Sequence, residues 1–162
     1  MSTEKSYARN TESEMSMEEK DQKEILETTR VDDKDWFLQM LVGMANDGMG
    51  IGLSLNVGGL IISGTLCGGK EYFYEFGKQL GDGMYPENAD SAEEFAAAYK
   101  KIGDDVYSES EITPNPASYI HMKNALFFSP KGDSIPSNAQ GALWRGKVSD
   151  VDGFSLGRFS KG

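Results

Sequence analysis

His121 is the one histidine and Cys67 the one cysteine among 162 residues. Hydrolytic or thiol chemistry needs a nucleophile, a base within hydrogen-bond reach and a third group that orients the base. Any Ser-His-Asp or Cys-His unit would therefore have to be built on His121. A histidine on the polar side of a strand is instead expected to make a surface or partner contact. Cys67 has no second cysteine for an internal disulfide or a thiolate cage, and reads as a small strand residue. Asp150 and Asp152 supply carboxylates, but a calcium loop takes roughly six to eight oxygens, so the pair reads as a turn. Asp47-Gly48-Met49-Gly50-Ile51-Gly52 has the glycines of a phosphate loop, yet it leads from a helix into a strand instead of from a strand into a helix. Met40, Met44 and Met49 read as core filler. The residues thus assign no catalytic group, metal ligand or cofactor.

The charge distribution adds one constellation. The net charge of −10 disfavours a general nucleic-acid binder, because phosphate contacts need cations. Residues 1–35 hold 11 acids and 6 bases, 36–69 hold Asp47 alone, and 70–113 hold 11 acids and 4 bases. The sign then reverses to +3 over 114–162. Within that last part, His121 and Lys123 on one predicted strand and Arg145 and Lys147 on another point away from the core. If the two strands are neighbours, these four residues form a compact cationic patch on an acidic protein, and they are the candidate partner-binding residues.

The elements that position them follow from periodicity. Residues 1–30 are rich in Ser, Thr, Glu and Lys and are expected to be a disordered acidic tail, dispensable for folding; 31–162 then form one domain. From Asp33 onward Trp36, Phe37, Met40, Leu41 and Met44 recur at helical spacing. Two β-runs flank Gly58-Gly59, a pair suited to a tight hairpin. Pairing Val57 with Leu60 puts Ile51, Leu53, Leu55, Ile62 and Leu66 on one face, and Ser54, Asn56, Ile61, Ser63, Thr65 and Cys67 on the other. A helix over 70–84 and a second one capped by Ser91 follow. A strand from Tyr119 to Phe128 alternates Ile120, Met122, Leu126 and Phe128 against Tyr119, His121, Lys123 and Phe127. Strands Ala142–Ser149 and Gly153–Phe159 close the chain, with Val148 opposite Phe154 or, in a tighter turn, Val151 opposite Phe154, and with Ala142, Trp144, Val148, Phe154 and Leu156 inward. The predicted fold is α+β: a curled antiparallel five-stranded sheet or small open barrel, with an N-terminal helix and a two-helix insertion. No run of 18 or more apolar residues occurs and the first residues do not read as a secretory signal, so a cytoplasmic protein without a membrane partner is expected.

The blocks Leu53–Thr65, Lys70-Glu71-Tyr72-Phe73, Tyr119–Asn124 and Leu143–Gly157 resemble the gas vesicle accessory protein U family. The string Trp144-Arg145-Gly146-Lys147 followed by Val151-Asp152-Gly153-Phe154 is similar to its carboxy-terminal signature. The acidic tail and the helical stretch around 84–117 depart from that pattern. The resemblance implies a non-enzymatic cytoplasmic accessory protein that affects vesicle assembly or clustering. Its implied partners are the vesicle shell, other accessory proteins or further copies of itself. It supplies no catalytic residues. A second reading comes from the helix and Gly-tipped hairpin with Asn56 near the turn, which are similar to Sm-like RNA-binding barrels whose basic face would contact RNA. A small hydrolase would need a second titratable group beside His121 in a pocket.

Overall fold

The computed structural model describes residues 34–108, 116–129, 133–136 and 140–159; the expected tail, residues 1–30, lies outside them. Helix α1 spans Trp36–Asn46, with the Asp35 carboxylate accepting the Phe37 and Leu38 amides at 2.7 and 2.9 Å. Its buried residues are Leu38, Leu41, Val42 and Ala45, while Trp36, Phe37 and Met40 are exposed. The apolar stripe read from the spacing is therefore rotated, and of the methionines expected as core filler Met44 packs against the core while Met40 and Met49 are exposed. Apolar residues run almost all the way round this helix, so their spacing predicts a helix without fixing which side faces the sheet.

Strands β1 (Ile51–Val57) and β2 (Leu60–Cys67) pair in the expected register, with Val57 opposite Leu60 and Leu55 opposite Ile62. Gly58 and Gly59 turn the chain at φ +58° and +84°, a conformation that side chains resist. Leu53, Leu55, Ile62 and Leu66 are buried beneath α1.

Helices α2 (Gly69–Met84) and α3 (Ala89–Val106) form an antiparallel hairpin. Asn88, not Ser91, caps α3: the Asn88 side chain accepts the Ser91 amide, so the helix begins a turn earlier than expected. The two helices approach along small residues. A Cβ on Gly81 would stand 2.6 Å from the Ala92 carbonyl oxygen, and one on Gly77 2.4 Å from Tyr99 Cβ. Gly81→Val is accordingly expected to cost about 1–3 kcal/mol by overpacking. Gly83→Ala meets nothing within 4 Å and serves as the control in paired urea melts.

Among the described residues six antiparallel strands build a sheet that is not closed, one more than expected. Strand β3 (Tyr119–Phe128) pairs with β2, and the two-residue β4 (Ser134–Ile135) and β5 (Ala142–Lys147) share its other side. Strand β6 (Gly153–Leu156) pairs with β1 at the opposite edge, giving the order β4-β3-β2-β1-β6.

Two expectations fail here for local reasons. First, Asn124 adopts φ +52° at an irregularity in β3, and a residue inserted there inverts every later side chain. Phe127 therefore lies opposite Ile62 against the core, and Phe128 lies opposite Ile61. Second, neither Val148 nor Val151 pairs with Phe154. Val148–Asp150 is a 3-10 turn, and the chain crosses from β5 on β3 to β6 on β1. The crossing is fastened by Asp152, whose carboxylate accepts the Gly58 amide at 2.7 Å and whose own amide donates to Asn56 O. Of the five residues expected inward after 140, Val148 is buried and Trp144 and Phe154 pack against the core, but Leu156 is 80 % exposed.

Candidate functional site

The alternation along β3 and β5 does bring the four candidate residues to one face: His121 lies opposite Arg145, and Tyr119 opposite Lys147. Part of that face is covered, although Arg145 and Lys147 stay exposed. The start of α2 and the end of α3 lie across it, and His121 is 1 % exposed beneath them. Its ring stands 4.7 Å from that of Tyr72 and 5.6 Å from that of Tyr107. Nε2 accepts from Arg145 Nε at 3.3 Å and lies 3.3 Å from the Tyr107 hydroxyl. Arginine can only donate, so Nε2 is unprotonated and the ring proton sits on Nδ1. Burial, followed by the Arg145 charge, pushes the imidazole down to about 4. His121 is thus a neutral internal acceptor and adds no charge to a patch.

The other three candidates differ in availability. Lys123 pairs with Glu71 of α2. The Arg145 guanidinium lies 3.5 Å over the Tyr119 ring while it donates to His121. Lys147 is exposed. Sequence reasoning missed Glu71 because an acidic residue on an amphipathic helix reads as solvated. The partner of Lys123 lies 52 positions away, and only the placement of α2 over β3 joins them.

An open cleft of about 570 Å³ runs between α2 and the sheet, lined by Glu71, Glu75 and Gln79 on one side and by Lys123, Asn124 and Leu143 on the other. His121 does not line it. Tyr107 and Arg145 stand beside the histidine, and neither of them lines this cleft. Cys67 is buried opposite His121, and burial, then the Glu71 charge, pushes its thiol up to about 12. Thiolate is the reactive form, so Cys67 is expected to resist a thiol reagent in the native protein and to react fully once unfolded. Fast labelling under native conditions would contradict this burial.

The polar face of the hairpin is covered as well. Ser54 Oγ and Ser63 Oγ lie 2.8 Å apart, and Ser54 donates to the Gly157 carbonyl. The Phe159 amide donates to Ser63 Oγ at 2.7 Å, and Arg158 reaches the Asn124 carbonyl and Thr65. Residues 157–159 therefore cross the face expected to meet water. Among the described residues no group of three or more His, Cys, Asp or Glu side chains is placed to hold a metal, and no helix is long and apolar enough to cross a membrane.

What emerges is an α+β domain whose single histidine is buried in internal structure, held by Arg145 and beside Tyr107, with Lys123 paired to Glu71. Residues 35–159 match the family model described as gas vesicle protein GvpU-like, and the chain belongs to that family. Membership associates it with gas vesicles as an accessory protein. Searches of curated proteins and of solved structures gave no match. The Sm-like alternative gains no support: the sheet is not closed, and on the face that would meet RNA His121 lies buried and Lys123 is paired to Glu71.

Proposed function

We propose that this chain is a non-enzymatic cytoplasmic accessory protein that affects how gas vesicles assemble or cluster, through contacts with the shell, with other accessory proteins or with its own copies. The family match across residues 35–159 carries the reading. The internal use of His121 supports the non-enzymatic part, because a general base has to reach substrate. Charge complementarity supplies the contact: the α2–α3 hairpin carries the acidic stretch, and Lys147 presents a cation at the sheet edge, flanked by Arg145 and Lys123. One exposed ion pair contributes about 0–1 kcal/mol, so such contacts hold vesicles only when many act together.

Flotation tests this. Gas-filled vesicles rise in a centrifuge, and tagged protein is expected in the floating layer at about 0.15 M salt and to be depleted from it at 1 M, where the screening length falls from about 8 Å to about 3 Å. Lys147→Glu is expected to lower recovery in the same direction. Protein absent from the layer at low salt would overturn the association, whereas recovery indifferent to salt and to Lys147→Glu would overturn the electrostatic contact.

A further inference from the structure

Helix α1 and strand β6 contain no charged residue, in a chain of which 26% is Asp, Glu, Lys or Arg. They lie side by side. Trp36 stacks beside Phe37 at 5.6 Å between ring centroids, and Phe37 lies 5.7 Å from Phe154 of β6. Met40 is on the same flank of α1, and Leu156 follows Phe154 on the same face of β6. Trp36 is 65 %, Phe37 42 %, Met40 47 % and Leu156 80 % exposed. Together these four leave on the order of 500 Å² of largely apolar surface in water, as large as the biggest such patch on an ordinary monomer.

The same flank borders an open strand edge. Among the described residues strand β6 ends the sheet, and its one hydrogen-bonded neighbour there is β1. The Gly157 amide donates to Gly52 O. Donors alternate along a strand, so the amides of Phe154 and Leu156 are turned outward. The far side of the sheet is guarded differently: β5 carries Arg145 and Lys147, and Pro136 follows β4, both devices that block strand addition. Edge β6 carries neither.

We propose that the α1–β6 edge binds the same edge of a second copy of this chain, β6 against β6 about a two-fold axis. The pairing satisfies the outward amides and sets Trp36, Phe37 and Met40 of one copy beside those of the other. A second copy fits because the surface is self-complementary: apolar flank meets apolar flank with no like charges opposed, whereas the acidic hairpin of a −10 chain would repel its own kind. The four side chains with the backbone edge approach the roughly 800 Å² per partner that a stable interface needs. This deepens the self-association in the proposed function and depends on that reading only for its use at vesicles.

Sedimentation of the full chain decides it. At micromolar concentration the protein is expected to sediment at twice its 17.8 kDa mass, and to do so equally at 0.15 M and 1 M salt, because an apolar contact is not screened. Trp36→Glu with Leu156→Glu changes exposed side chains, so the circular dichroism is expected to be unchanged while the dissociation constant rises at least tenfold. A monomeric parent protein, or a dimer that survives both substitutions, overturns the proposal. If the parent is monomeric and the substitutions abolish co-flotation, the edge serves another protein and the second copy is ruled out. A parent protein that dimerises but does not float with vesicles would count against the vesicle reading and leave the dimer standing.

Discussion

Leu55→Ala is expected to lower the unfolding free energy by about 2–5 kcal/mol, the range for deleting a buried leucine side chain when its surroundings cannot collapse to fill the space. Leu55 is 0 % exposed, sits at the middle of β1 opposite Ile62 and Phe154, and is flanked by the helix residues of α1. Strands on both sides and a helix above leave little room for relaxation. Urea melts of the parent and variant measure it, and a cost below about 1 kcal/mol would mean that the hairpin does not form the centre of the core. Ser63→Ala, on the opposite face, is expected to cost about 1–3 kcal/mol, because it strips the acceptor from the Phe159 amide and a partner from Ser54.

Stability is also expected to fall as the pH drops from about 6.5 to about 4. His121 is held at about 4 in the folded chain against 6.5 for the free side chain, chiefly by burial and then by Arg145. Its folded value is depressed, so in this window the unfolded chain binds the proton and the folded chain does not. The neutral ring contributes its full stabilisation above 6.5 and loses it as the pH falls to 4, about 3 kcal/mol for a shift of this size. Most carboxylates titrate below the upper part of this range, which isolates the histidine between about 6.5 and 5. Urea midpoints across the range give the slope. Because His121 is the only histidine, its ring proton resonances report the titration without ambiguity. A midpoint near 6.5 in the folded protein would show an accessible ring and refute the packing of Tyr72, Tyr107 and Arg145 around it.

The hairpin register was legible because β-runs of fixed length meet at a Gly-Gly turn, and a slip by one residue would turn Leu53, Leu55, Ile62 and Leu66 to the wrong face. Helix α1 was legible as a helix but not in its rotation, since Trp36 and Leu38 are equally apolar. The position of β6 was not legible at all. Sequence neighbours favour a hairpin of β5 with β6, and the chain is instead held on β1 by long-range contacts, among them the Asp152 carboxylate on an amide 94 positions away and the β1–β6 ladder. The candidate patch shows the same divide. Strand alternation placed His121, Lys123, Arg145 and Lys147 on a common face, and the register of β3 with β5 brings them together. Whether that face meets solvent depends on where the helical hairpin lies. The cues for that are the glycines of α2 and α3, which report close helix contact without saying which strand lies beneath. Asn124 is likewise an ordinary strand residue until its φ is known.

The helical hairpin has a consequence for the molecule as an electrical object. Helix α2 runs for 16 residues, about 24 Å, from its base beside His121 to the turn at Tyr85. Glu87, Asp90, Glu93 and Glu94 cluster around that turn, while Arg145 and Lys147 stay near the base. The separation is about three screening lengths at physiological salt, too far for the two groups to neutralise each other. Among the described residues the hairpin therefore ends in an acidic tip set apart from the cations of β5. A cation approaching this hairpin is drawn to the tip before the base, and salt weakens that pull.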